Sequence, residues 1–162
     1  MHIVGHHLQT EAVARSQSDE RDLFARSAYN RYYYASFLAA RSALGQMSPD
    51  WRRLAHKTYP EVLRGQVLRE FKRERTKANK SADYELERQL RVAVEATNAL
   101  ATLLEKAYAT RVAADYGTDP VSFGQSARFS LNSVDITEAH SWSAQVSGYA
   151  GVVLGAWKQF NV

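Results

Sequence analysis

The sequence predicts an all-α protein, and three observations carry that expectation. Three prolines and eight glycines among 162 residues leave long stretches without a helix breaker. Apolar residues recur at spacings of three and four through most of the chain, the period of a one-sided helix. Capping chemistry stands at the ends of those stretches, with Ser, Asp or Pro before them and Gly after them.

Taken in order, residues Leu8 to Arg15 read as a short helix with Leu8 and Ala12 on one side. Ser16 to Asp19 form a turn, and Asp19, Glu20 and Asp22 place negative charge at the positive end of the next helix. That helix is expected from Asp19 to Leu44, with Gly45 as its stop. Phe24, Ala28, Arg31, Ala35 and Leu38 share one strip, and Leu23, Ser27, Asn30, Tyr34 and Phe37 widen it. A helix coated this broadly belongs in the core.

Pro49 and Asp50 start a further helical piece with Trp51 and Leu54 turned inward. Pro60 suits the first turn of a helix carrying Val62, Leu63, Val67, Leu68 and Phe71. Lys72 to Lys80 is almost wholly polar and reads as an exposed final turn or a mobile loop. A long helix follows from Asp83 to Ala114, built on Leu86, Leu90, Ala93, Thr97, Leu100, Leu104, Ala107 and Arg111. From Val121 to Leu131, the alternation of Val121, Phe123, Gln125, Ala127, Phe129 and Leu131 suggests an extended segment.

The tail is helical again. Ile136, Ala139, Ser143, Val146, Ala150, Val153, Trp157 and Phe160 follow a three-four rhythm, a seam worked partly in small residues. Ser147, Gly151 and Gly155 form a second strip of small side chains. The seam fits two roles, packing within the chain or docking another subunit through Ile136, Val146, Val153, Trp157 and Phe160.

Composition narrows the functional classes. A length of 162 residues fits one domain, or one domain with an extension. Cysteine is absent, which excludes disulfides, cysteine nucleophiles and thiolate metal sites and fits a reducing compartment. No apolar run is long enough to span a membrane, and Met1 to His7 lacks the pattern of a signal peptide, so a cytoplasmic protein is expected. Neither a Gly-rich phosphate loop nor a His-Glu-x-x-His motif occurs, so neither cofactor nor metal is expected. His2, His6 and His7 lie at an end expected to fray.

Charge is concentrated. Residues 1–51 hold five basic and five acidic side chains, and residues 81–162 hold six and nine. Residues 52–80 hold ten cations, Arg52, Arg53, Lys57, Arg64, Arg69, Lys72, Arg73, Arg75, Lys77 and Lys80, against Glu61, Glu70 and Glu74. Such an excess creates a field that attracts phosphates, or marks a solvated face matched to an acidic partner.

The stretch Asn30-Arg31-Tyr32-Tyr33-Tyr34-Ala35-Ser36-Phe37-Leu38-Ala39-Ala40-Arg41 resembles the signature helix of the HEPN family, nucleotide-binding domains of higher eukaryotes and prokaryotes. A short helix and a Ser-Asp turn precede it, His56-Lys57 and Ala82-Asp83-Tyr84 follow it, and the resemblance covers roughly residues 8–114. It implies an up-and-down helical bundle over residues 1–117, with 118–162 as a C-terminal extension ending in a helix. It further implies a homodimer or a subunit of a larger complex, acting on RNA or nucleotide within a prokaryotic toxin–antitoxin or phage-defence module.

Active HEPN members carry an Arg followed after four to six residues by His, a metal-independent RNase motif. Here Tyr84 stands where that His is expected and Asn79 where the Arg is expected. Tyr, with a pKa near 10, is a poor base at neutral pH. Arg31, His56, Asp83 and Tyr84 are therefore the candidates for residual chemistry, with Arg31 alternatively a buried charge paired to Asp83. The leading expectation is a non-catalytic subunit that binds RNA, nucleotide or a partner through the basic segment. A divergent endoribonuclease and a helical scaffold are the alternatives.

Overall fold

A computed structural model describes residues 1–124 and 128–160. The protein is an all-α helical bundle with one small sheet. Its elements are α1 (His2–Ala14), α2 (Ser18–Met47), a 3-10 turn (Pro49–Arg53), α3 (Thr58–Val62), a π-helical turn (Leu63–Val67), α4 (Leu68–Lys80), α5 (Tyr84–Tyr116), β1 (Ser122–Phe123), β2 (Phe129–Leu131), β3 (Val134–Asp135) and α6 (Ile136–Trp157). Residues 1–38 with 106–144 form one compact unit, and residues 39–105 with 145–162 form a second. The stretch 118–162 is thus divided between them, and α2, α5 and α6 each contribute to both.

In the first unit the tyrosines of α2 build the core. Tyr29, Tyr32 and Tyr33 are almost fully buried, and two of them satisfy their hydroxyls there. Tyr29 donates to the Val134 carbonyl at 2.6 Å, and Tyr32 donates to Gln9 Oε1 at 2.6 Å. Burial pushes the Tyr29 phenol well above its ordinary range and Tyr32 up to about 12, so both stay neutral. The sheet is antiparallel in the order β1-β2-β3, with Phe123 opposite Phe129 and Leu131 opposite Val134. Asn132 and Ser133, both at positive φ, make the two-residue turn that joins β2 to β3. The alternation from Val121 to Leu131 therefore marks two strands, and β3 follows them; Gln125 and Ala127 lie outside the described residues. Asp135 caps α6 by accepting from the Thr137 amide and hydroxyl.

The other end of this unit is closed by Arg26. Its guanidinium donates to the carbonyls of Ala113, Gly117 and Asp119 and pairs with Asp22 at 2.5 Å. Ala113 lies in the last turn of α5, and Gly117 and Asp119 in the segment that follows it, so the guanidinium ties the two together. Asp22 also accepts from the Val121 amide at 2.8 Å.

In the second unit, α5 presents Leu90, Ala93, Thr97, Leu100 and Leu104 to the interior, as its spacing predicts. Leu63, Val67 and Phe71 are fully buried, and Trp157 touches both Trp51 and Phe71. One expectation changes here, and one pair of alternatives is decided. Gly45 does not stop α2, which continues to Met47; it is buried, and its missing Cβ makes room for Arg52, whose Nε donates to the Gly45 carbonyl at 3.1 Å. Lys72 to Lys80 is no loop, because Ala78 is buried and anchors the last turns of α4.

Candidate nucleic-acid interface

Helix α4 positions most of the basic segment. Leu68, Phe71 and Ala78 hold its inner side. Arg69, Arg73, Lys77 and Lys80, at spacings of four, four and three, fall on its exposed side. Lys72 and Arg75 line a hollow of about 360 Å³ with Thr76, Asn79 and Glu87. Arg53 and Lys57 are exposed on and just after the 3-10 turn, whereas Arg52 turns back onto Gly45.

Folding neutralises part of the charge that the sequence concentrates. Arg64 pairs with Glu105 and donates to Thr102, and Arg75 pairs with Glu87 at 2.6 Å. Both carboxylates come from α5, outside residues 52–80. Within α4, Arg73 pairs with Glu70 and Glu74, and Lys77 pairs with Glu74. The Lys77 ammonium, with Arg73, holds the Glu74 carboxyl below its ordinary range. Four of the ten cations of residues 52–80 thus share carboxylates from two helices. Among the described residues, Arg53, Lys57, Arg69, Lys72 and Lys80 join no ion pair.

The residues proposed for chemistry are placed otherwise. Arg31 is exposed on α2, so it is not a buried charge in need of Asp83. Asp83 accepts from the Leu86 amide at 3.1 Å and caps α5. Tyr84, next to it, is 74% exposed. His56 is partly buried between the 3-10 turn and α3.

The docking role of the tail seam is also corrected. Ile136, Val146 and Val153 have no exposed surface, since the chain covers them itself. Trp157 and Phe160 keep partial exposure. The small residues Gly148, Gly151 and Gly155 are the ones left open.

Sequence reasoning missed two clusters in the first unit. His2 is not frayed; it is the first residue of α1, and its ring lies 4.5 Å from that of His140, with His6 5.6 Å from the same ring. The spacing of His2 and His6 on one helix face was a legible signal, but the third imidazole is supplied by α6. The rings meet one another, and no group of three His, Asp or Glu among the described residues is arranged for a metal ion. In the second cluster, Asn30 donates to Asp115 at 2.6 Å, and Asp115 pairs with Arg111. No helix among the described residues is long and apolar enough to cross a membrane.

Searches for similar proteins found no matching family model, no matching curated protein and no matching solved structure.

Proposed function

We propose that the chain is a non-catalytic, HEPN-like RNA-binding subunit of a prokaryotic toxin–antitoxin or phage-defence assembly. The observation that carries the binding half is the solvent side of α4, where Arg69, Lys72 and Lys80 stand exposed without carboxylate partners on a well-anchored helix. Cations of this kind bind polyanions by counterion release, and such binding is salt-sensitive. The non-catalytic half is supported by the exposure of Tyr84 and the capping duty of Asp83. The family placement is supported by the run from Asn30 to Arg41 and the order of the elements around it.

The test is retention of a labelled single-stranded RNA measured against salt. Reversal of Arg69, Lys72 and Lys80 to Glu is expected to lower affinity at least ten-fold at low salt. It is also expected to flatten the salt dependence by about one unit of slope for each phosphate no longer neutralised. Unchanged binding by that variant removes the reading. Cleavage of the RNA in EDTA by the native chain, abolished in Tyr84→Phe, removes the non-catalytic half.

A further inference from the structure

A groove of about 800 Å³ opens beside the unpaired cations of α4, lined in part by Arg69 and Arg73. Its chemistry differs from that of the exposed helix face. Asp50 and Glu70 also line it, and Glu70 already pairs with Arg73 at 2.6 Å. Its charges therefore roughly cancel, so a bare phosphate gains little by entering.

What the groove offers is aromatic surface and hydrogen-bonding groups. Trp51 and Trp157 both line it, their rings 5.7 Å apart and inclined at 61°. Trp51 is nearly buried, while Trp157 is partly exposed. Gln66 and the carboxylate of Asp50, both exposed, line it as well. An indole face beside a polar wall suits a flat heterocycle that stacks and is read along its edge.

Arg69 joins the two environments. It lines the groove, and it begins the run of unpaired cations that continues through Lys72 to Lys80, ~16 Å along the helix axis. We infer that the groove receives an unpaired nucleobase of a single-stranded RNA whose phosphates lie along α4. Trp157 supplies the stacking surface, Asp50 and Gln66 meet the edge of the base, and Arg69 holds the phosphate at the groove mouth. Base pairing would hide the edge that these groups read, so duplex RNA is excluded from the groove. This inference rests on the RNA-binding reading above.

Tryptophan emission tests it directly, because Trp142 is fully buried in the other unit and provides a constant background. The probes are short single-stranded homopolymers of the four ribonucleotides, an abasic ribose-phosphate oligomer of the same length, and duplex RNA. At least one homopolymer is expected to quench the emission and to bind about ten-fold more tightly than the abasic oligomer. Trp157 also touches Phe71 and Phe160, so Trp157→Phe is paired with the exposed variants Asp50→Asn and Gln66→Ala. Both surface variants are expected to change the ranking of the homopolymers, and the uncharged change Gln66→Ala to leave abasic affinity unchanged. Equal binding of abasic and base-bearing oligomers without quenching, still abolished on reversal of Arg69, Lys72 and Lys80, overturns the groove and leaves RNA binding standing. An unchanged ranking in all three groove variants also overturns it. No binding of any oligomer overturns both readings.

Discussion

In the unit formed by residues 1–38 and 106–144, Arg26 places its guanidinium against four backbone carbonyls and the Asp22 carboxylate. In the unit formed by residues 39–105 and 145–162, Arg69, Lys72 and Lys80 meet no carboxylate among the described residues. All four side chains are cations on helices, yet their surroundings assign them opposite work. Arg26 is consumed in holding the end of α5, and a partner would have to displace native bonds to reach it. The α4 cations bring little to folding, because an exposed charge in water gains little by being there. Local cation density is therefore a poor guide to function until the acceptors around each cation are known.

The strongest way to break this contrast is to remove each kind of cation in turn. Arg26→Leu is expected to destabilise the protein by about 3 kcal/mol, since hydrogen bonds to a charged group contribute ~1.5–3 kcal/mol and Asp22 also loses its ion-pair partner. Urea denaturation followed by circular dichroism measures it; a loss below about 1 kcal/mol would mean that the α5 terminus is held by other groups. The triple reversal of Arg69, Lys72 and Lys80 is expected to move stability by no more than ~1 kcal/mol in the same experiment.

Tyr29→Phe sharpens the first half of the comparison. It leaves the Val134 carbonyl without this donor at a buried position and is expected to cost about 1–2 kcal/mol. Equal stability of the variant would show that the hydroxyl is dispensable to the sheet.

The histidine cluster makes the first unit sensitive to pH. Burial, and then the charges of His2 and His6, push the His140 imidazole below its ordinary value of 6.5. The unfolded chain therefore takes up a proton there before the folded chain does, and stability falls as pH drops below about 6.5. Melting temperatures at pH 7.5 and 5.5 are expected to differ less in His140→Gln than in the native chain. Equal differences would clear the imidazole of any part in the pH response.

The smallest effect concerns Gly45. Gly45→Ala gains ~1 kcal/mol of helix propensity but forces Arg52 out of its place. The single change is expected to be nearly neutral, and Gly45→Ala together with Arg52→Ala more stable than Arg52→Ala alone. A Gly45→Ala variant that melts well above the native chain would show that Arg52 contributes nothing in that position.

Much of the fold was legible in the chain because it is local. The strip from Leu90 to Leu104 is buried as its spacing predicts, and the tail rhythm marks a real helix, because both record which side of a helix avoids water. Local signals fail where a distant side chain intervenes. Gly45 reads as a stop, yet the helix runs on to Met47, and Arg52 occupies the space that a Cβ at Gly45 would take. The seam of Ile136, Val146 and Val153 fits an internal or an external partner equally well, since an apolar pattern carries no record of what does the covering.

The helices, their apolar faces and the concentration of basic residues were all written in the order of the amino acids, because each depends on neighbours within one or two turns. Which charges remain available was settled only by folding. Glu87 and Glu105 of α5 neutralise Arg75 and Arg64, and Trp51 and Trp157, more than a hundred positions apart, meet beside Arg69. The physical reason is range: helix periodicity is set within a few residues, whereas an ion pair or an aromatic wall forms only when folding brings remote side chains within a few ångströms.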